Sequence, residues 1–261
     1  ESHRAVVEAF REVRPVDCHG RRKYDLTQRD DPVSLYVCVE SSYHFAKAWE
    51  VDMENDAHAV THWLGDVPVD ELVLNAGQVL GVDRLVSLAD GAEGRGDWWL
   101  AGRYYTIACT LKSRAETIGD GLSLCKTALD ALSRCSDWAK QAGPNALDDL
   151  HEVQLMMISR QMLAGDLPGL AARSTEVEVV LNSQAAERSP VTASVLRMFM
   201  GFPLLMAGDV NGFGTLVLTN TMALRPAAES YPDPIVRHHC AMMMYGPYQF
   251  MEHAIMQPTF S

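Results

Sequence analysis

The chain has 261 residues, 48% hydrophobic and 21% charged, enough for one large soluble domain with a real core. Its 22 basic and 34 acidic residues give a formal charge of −12, which excludes nucleic-acid binding through phosphate contacts. No apolar run is long enough to span a membrane. The nearest, VLRMFMGFPLLMAG from Val195, carries Arg197 and is broken by Gly201 and Pro203.

In chain order, ESHRAVVEAFREVRP is charged throughout and lacks the apolar centre of a secretory signal, so a cytoplasmic protein is expected. A short helix over about 4–13 leads into a polar, turn-rich loop. After Pro32 the spacing predicts a helix over about 33–49, a shorter acidic one to Leu64, and a third from Pro68 to about Leu88. ADGAEGRGD (89–97) holds three glycines and no apolar residue larger than alanine; it is expected to be a loop and the one candidate sub-boundary in a single 1–261 domain. Helices follow at about 98–115, 120–141, 146–164, 167–186, 190–207, 210–224 and 233–254. The fold class is all-α, with about ten helices. An irregular bundle and a stack of αα-hairpins both fit.

The feature that bears on this choice is a near-duplication, MLAGDLPGLA (162–171) and LMAGDVNGFG (205–214), in which Ala-Gly-Asp recurs after 43 residues. Gly165 and Gly208 are suited to a left-handed helix cap, and Asp166 and Asp209 to capping the helix that follows. The spacing is about two helices plus turns, the size of a hairpin unit.

Residues 51–100 hold ten acidic side chains against two basic ones, Arg84 and Arg95. Of these, Asp52, Glu54, Asp56, Asp66, Asp70 and Glu71 form either a solvated helix face or a docking face for a basic partner. Asp97, Trp98 and Trp99 are the other candidate contact residues, with Asp97 placed to cap the next helix. Glu54, His58 and His62 recur at i, i+4 and i+8 and can share one face, a weak metal-site pattern: Ala59 stands where a zinc peptidase has its glutamate. His238, His239 and Cys240 are adjacent and diverge around a helix. DDLHEV from Asp148 is a helix-start signature. The six cysteines (Cys18, Cys38, Cys109, Cys125, Cys135 and Cys240) form no Cys-x-x-Cys pair and read as buried thiols. No nucleophile-elbow, phosphate-loop or dinucleotide motif occurs, so no catalytic residues and no cofactor are assigned.

GDWWLAGRYYTIACTLKSRAETIGDGLSLCKTAL (96–129) resembles the central helix pair of the all-helical immunity proteins of bacterial polymorphic toxin systems, type forty-nine, in which an acidic residue and tryptophan open an alanine-rich helix. FPLLMAGDVNGFGTLVLTNTMAL (202–224) resembles that family's late signature, a Gly-Asp turn followed by a Phe-containing helix. The chain departs from the pattern after this helix, where RPAAESYP replaces the usual histidine and aromatic residues. The resemblance implies a protein that binds and covers the active site of a co-encoded toxin and is not an enzyme. The partner would be a basic toxin, since many toxins of such systems act on nucleic acids and carry basic grooves. A hairpin adaptor for peptides is the alternative, and a metalloenzyme built on Glu54, His58 and His62 a third.

Overall fold

The computed structural model describes residues 77–244, save 116, 118, 143, 233 and 235, together with a few isolated positions before them. Among the described residues the regular structure is entirely helical: α1 (Gly77–Gly94), α2 (Trp98–Ala115), a 3₁₀ turn (Gly119–Gly121), α3 (Leu122–Ser133), α4 (Ser136–Ala142), α5 (Pro144–Leu163), α6 (Leu167–Ala172), α7 (Ser174–Leu181), α8 (Gln184–Arg188), α9 (Pro190–Met200), α10 (Phe202–Met206) and α11 (Val210–Ser230). Residues 236–244 are helical as well. The all-α class holds, and no described helix is long and apolar enough to cross a membrane.

The differences from the expected boundaries have local causes. The stretch 89–97 is a turn only at its end: α1 continues to Gly94, Ala89 and Ala92 are fully buried, and residues 95–97 lead into α2. Small residues here let α1 lie close against α2, and the Tyr105 hydroxyl fastens the pair by donating to Asp90 (2.6 Å) or Glu93 (3.1 Å). The expected 167–186 helix is three short ones, because Arg173 leaves helical geometry and Ser183 starts α8 by accepting the Ala185 amide. Gly201 and Pro203 split 190–207. At the far end α11 passes the expected stop at Leu224 and tolerates Pro226, since the carbonyl that loses its bond belongs to Met222 on the solvent face.

Three antiparallel hairpins carry the architecture. In the first, α3 returns along α2 so tightly that a Cβ on Gly102 would stand 2.7 Å from a Leu132 methyl. In the second, α5 runs out and α6–α8 return, with Gln154 donating to Glu176 (3.1 Å) midway and Arg188 reaching Asp148 and Asp149 at the base. In the third, α9 and α10 run out and α11 returns: Asn220 donates to Ser194 (2.7 Å), and the Tyr231 hydroxyl reaches the Arg188 carbonyl (2.8 Å). The second and third hairpins thus share a base at Arg188, and Lys126 near the first tip pairs with Asp166 at the second (2.8 Å). Helix α5 is the hub, touched by α2, α3, α4, α6, α7, α8 and α9. The core runs along it through Leu150, Val153, Leu155, Met157, Ile158 and Met162.

Candidate functional site: the hairpin turns

The duplicated Ala-Gly-Asp segments form the same turn. At the first, Gly165 has φ +79°, its N–H bonds to the Met162 carbonyl (2.9 Å) and the Asp166 N–H to the Gln161 carbonyl (3.2 Å). At the second, Gly208 has φ +76°, with bonds to Leu205 (3.1 Å) and Leu204 (2.9 Å). Each is a Schellman closure whose next residue caps the following helix: Asp166 accepts from Gly169 N (3.2 Å) and Asp209 from Gly212 N (2.8 Å). In these two turns the capping carboxylate lies close over the second glycine of Gly-Asp-x-x-Gly. A Cβ at Gly169 or Gly212 would come within 2.2–2.3 Å of the capping carboxylate.

A third copy escaped the search for Ala-Gly-Asp because it lacks the alanine. Gly96 has φ +78°, Gly96 N bonds to Glu93 O (2.9 Å), Asp97 N to Ala92 O (3.0 Å), and Asp97 accepts from Leu100 N (3.2 Å). Gly-Asp alone would have found it. It would also have found Gly119-Asp120 at the first hairpin tip, whose backbone is different: there Asp120 accepts from the Thr117 amide and hydroxyl.

What separates the turns is their flanks. Two residues before and after Gly165 stand Leu163 and Leu167, 62% and 53% exposed; around Gly208 stand Met206 and Val210, 83% and 53% exposed. Turns on a soluble surface are ordinarily polar, and here four apolar side chains face solvent at two hairpin tips. Leu218 and Met222, also exposed, extend the line from Val210 down one face of α11.

The residues expected to make contacts are distributed differently. Asp97 is a helix cap. Trp99 is in the core, its ring stacked on Trp138 with centroids 6.0 Å apart and the Arg103 guanidinium 5.3 Å away. Trp98 is half-buried under the Arg134 guanidinium at 4.1 Å. Asp52, Glu54, Asp56, Asp66, Asp70 and Glu71, and with them His58 and His62, lie outside the described residues. Among the described residues no group of three or more His, Cys, Asp or Glu side chains could hold a metal ion. His238 and His239 are exposed and diverge, while Cys240 is buried.

DDLHEV lies inside α5, which begins at Pro144 with no acidic residue in its first turn, and the structure gives it partners that the sequence hid. Arg188, forty residues downstream and buried, is 3.5 Å from Asp148, 3.2 Å from Asp149 and 3.8 Å from Glu152. Burial holds the Arg103 guanidinium down to about 10, opposed by the charges of Asp149 and Glu152, and burial raises Asp149 above the ordinary carboxylate range against the pull of Arg188. The cluster joins α8 to α5. Comparison with protein-family models, with curated proteins and with solved structures finds no match to this chain.

Proposed function

We propose that this chain is a protein-binding helical scaffold acting as an immunity protein: it binds a basic toxin and covers that toxin's active site. The observation that carries the binding part is the solvent-facing apolar quartet Leu163, Leu167, Met206 and Val210, held on three-point-capped turns that fix where the side chains project. Apolar groups on pre-ordered turns lose little entropy on docking, which suits a central contact. The net charge of −12 supplies long-range attraction to a basic partner, and the acidic run from Asp52 to Glu71 is its densest source. The immunity assignment itself rests on the resemblance of 96–129 and 202–224. The cytoplasm is where such a protein would meet its toxin.

The test is to find whether a small basic protein is encoded beside this chain and to co-express the two; no such neighbour would count against the reading. Rescue from that protein's lethality, with a one-to-one complex on purification, is the expected result. The paired Met206→Ser/Val210→Ser and Leu163→Ser/Leu167→Ser variants should each weaken the complex at least tenfold through faster dissociation. Charge reversal at Asp52, Glu54, Asp56, Asp66, Asp70 and Glu71 should instead slow association and flatten its salt dependence. Binding of many unrelated peptides, without rescue, would favour the adaptor reading, which the succession of three hairpins motivates.

A further inference from the structure

The first hairpin contains a thiol pair that none of the functional readings uses. Gly102 on α2 meets Leu132 on α3, which sets the register of these antiparallel helices. One heptad on along α2 is Cys109, and one heptad back along α3 is Cys125, so the same register brings the two cysteines face to face. Both are buried, and each thiol donates to a backbone carbonyl, Cys109 to Gly121 and Cys125 to Met157 (3.0 Å). The backbone is close here too: Cys109 Sγ is 3.4 Å from the Gly121 carbonyl, and a Cβ on Gly121 would lie 3.1 Å from the Cys109 carbonyl.

The surroundings favour one thiolate. Ser113, one turn beyond Cys109, and Arg160 on α5 each bury a polar atom, Oγ and Nε, that has no hydrogen-bond partner. The neighbouring Cys125 thiol brings the Cys109 thiol down to about 7 against the opposing effect of burial, with the Arg160 charge helping, and the same interaction pushes Cys125 up. Cys135 is a control within the same hairpin. It bonds only to its own helix, at the Ala131 carbonyl (3.4 Å), and burial pushes its thiol up to about 12.

We infer that Cys109 and Cys125 are a site of reversible oxidation, closing a disulfide between α2 and α3 when fluctuations of this hairpin admit hydrogen peroxide to the buried pair. The Cys109 thiolate attacks the peroxide; an S–O bond forms, the O–O bond breaks and hydroxide leaves, giving a sulfenic acid. The Cys125 thiolate, its proton passed to that hydroxide, then attacks the sulfenic sulfur. The S–S bond forms, the S–O bond breaks and hydroxide leaves, becoming water with the proton that Cys109 gave up on ionising. In sum two thiols lose two protons and two electrons, and one peroxide is reduced to two waters. A thiol reductant reverses the change. The disulfide staples the hairpin whose Lys126 holds the Asp166 turn.

The experiment treats the full reduced chain with hydrogen peroxide, alkylates the remaining thiols in denaturant and maps tryptic peptides. The expected product has lost about 2 Da and links peptide 104–112 to peptide 115–126, with Cys135 still alkylated. Its melting temperature should exceed that of the reduced form by roughly 5–10 °C, and dithiothreitol should abolish the gain. Cys125→Ser should divert Cys109 to sulfenic or sulfinic acid at the same peroxide concentration. Cys109 and Cys125 both left alkylated while the exposed methionines are oxidised, or linkage of either to another cysteine, overturns the inference on the wild-type chain alone.

Discussion

The turn at Gly96-Asp97 and the turn at Gly208-Asp209 share one backbone and one cap, and their surroundings are opposite. Beyond Gly96 the chain turns inward: Trp99 is in the core, Trp98 lies under Arg134, and α1 is fastened to α2 by Tyr105. Around Gly208 the neighbours are Met206 and Val210, both turned to water. Capping chemistry therefore says where a helix ends and nothing about what the end is for. That information lies in the residues on either side.

The largest expected effect tests the inward side. Trp99→Ala removes a ring stacked on Trp138 and a cation–π partner of Arg103, and should cost about 3–5 kcal/mol in denaturant unfolding. Met206→Ala should stay within about 0.5 kcal/mol, since its side chain is almost wholly in solvent. Equal costs would erase the contrast. Next come the glycines: Gly96→Val, Gly165→Val and Gly208→Val each force a β-branched residue to positive φ, where no neighbouring atom stands within 4 Å. Strain alone should cost about 1–2 kcal/mol at all three, whatever the flanks. A cost at Gly96 far above the other two would mean that packing there adds to the backbone term.

Asp97→Ala, Asp166→Ala and Asp209→Ala should each lose about 1 kcal/mol of capping, measured by thermal unfolding. Asp166 alone has a further signature, because the bond from Lys126, then those from Gln161 and Gly169 N, hold its carboxyl down to about 2. A depressed folded-state value means that the stabilisation is present above the unfolded carboxylate range near 4 and is lost as pH falls toward 2. An Asp166→Asn variant should lack that part of the acid limb. An identical acid limb in the variant would remove Asp166 as its source.

Much of the fold was legible from periodicity, and α2 was placed to the residue by an acidic cap ahead of an apolar stripe. The error at 89–97 came from counting glycines as loop, when Ala89, Ala92 and a tyrosine on the facing helix make that segment a close helix contact. The three-way division of 167–186 depends on Arg173, whose partners Asp130 and Glu176 come from two helices. A pattern read along one strand of text cannot show that. The Cys109–Cys125 register likewise needed Gly102 against Leu132 to become visible. Of the proposed contact surface, the turns were legible as duplicated punctuation, but the exposure of Leu163 and Met206 was not, because an apolar residue before a turn is equally consistent with a core position.

Helix α5 is flanked by seven other helices, whereas α11 has α9 and α10 as its main helical neighbours and keeps Leu218 and Met222 in water. Such an arrangement grades the molecule from the inside outward in time as well as in space. Amide protons of α5 can reach deuterium only when the whole domain opens, while those of α11 can do so when one hairpin swings away from its base at Arg188. The helix that carries Val210 is then the first to loosen, which gives a bound partner the largest protection to confer and makes deuterium uptake along α11 a direct reading of whether anything has docked there.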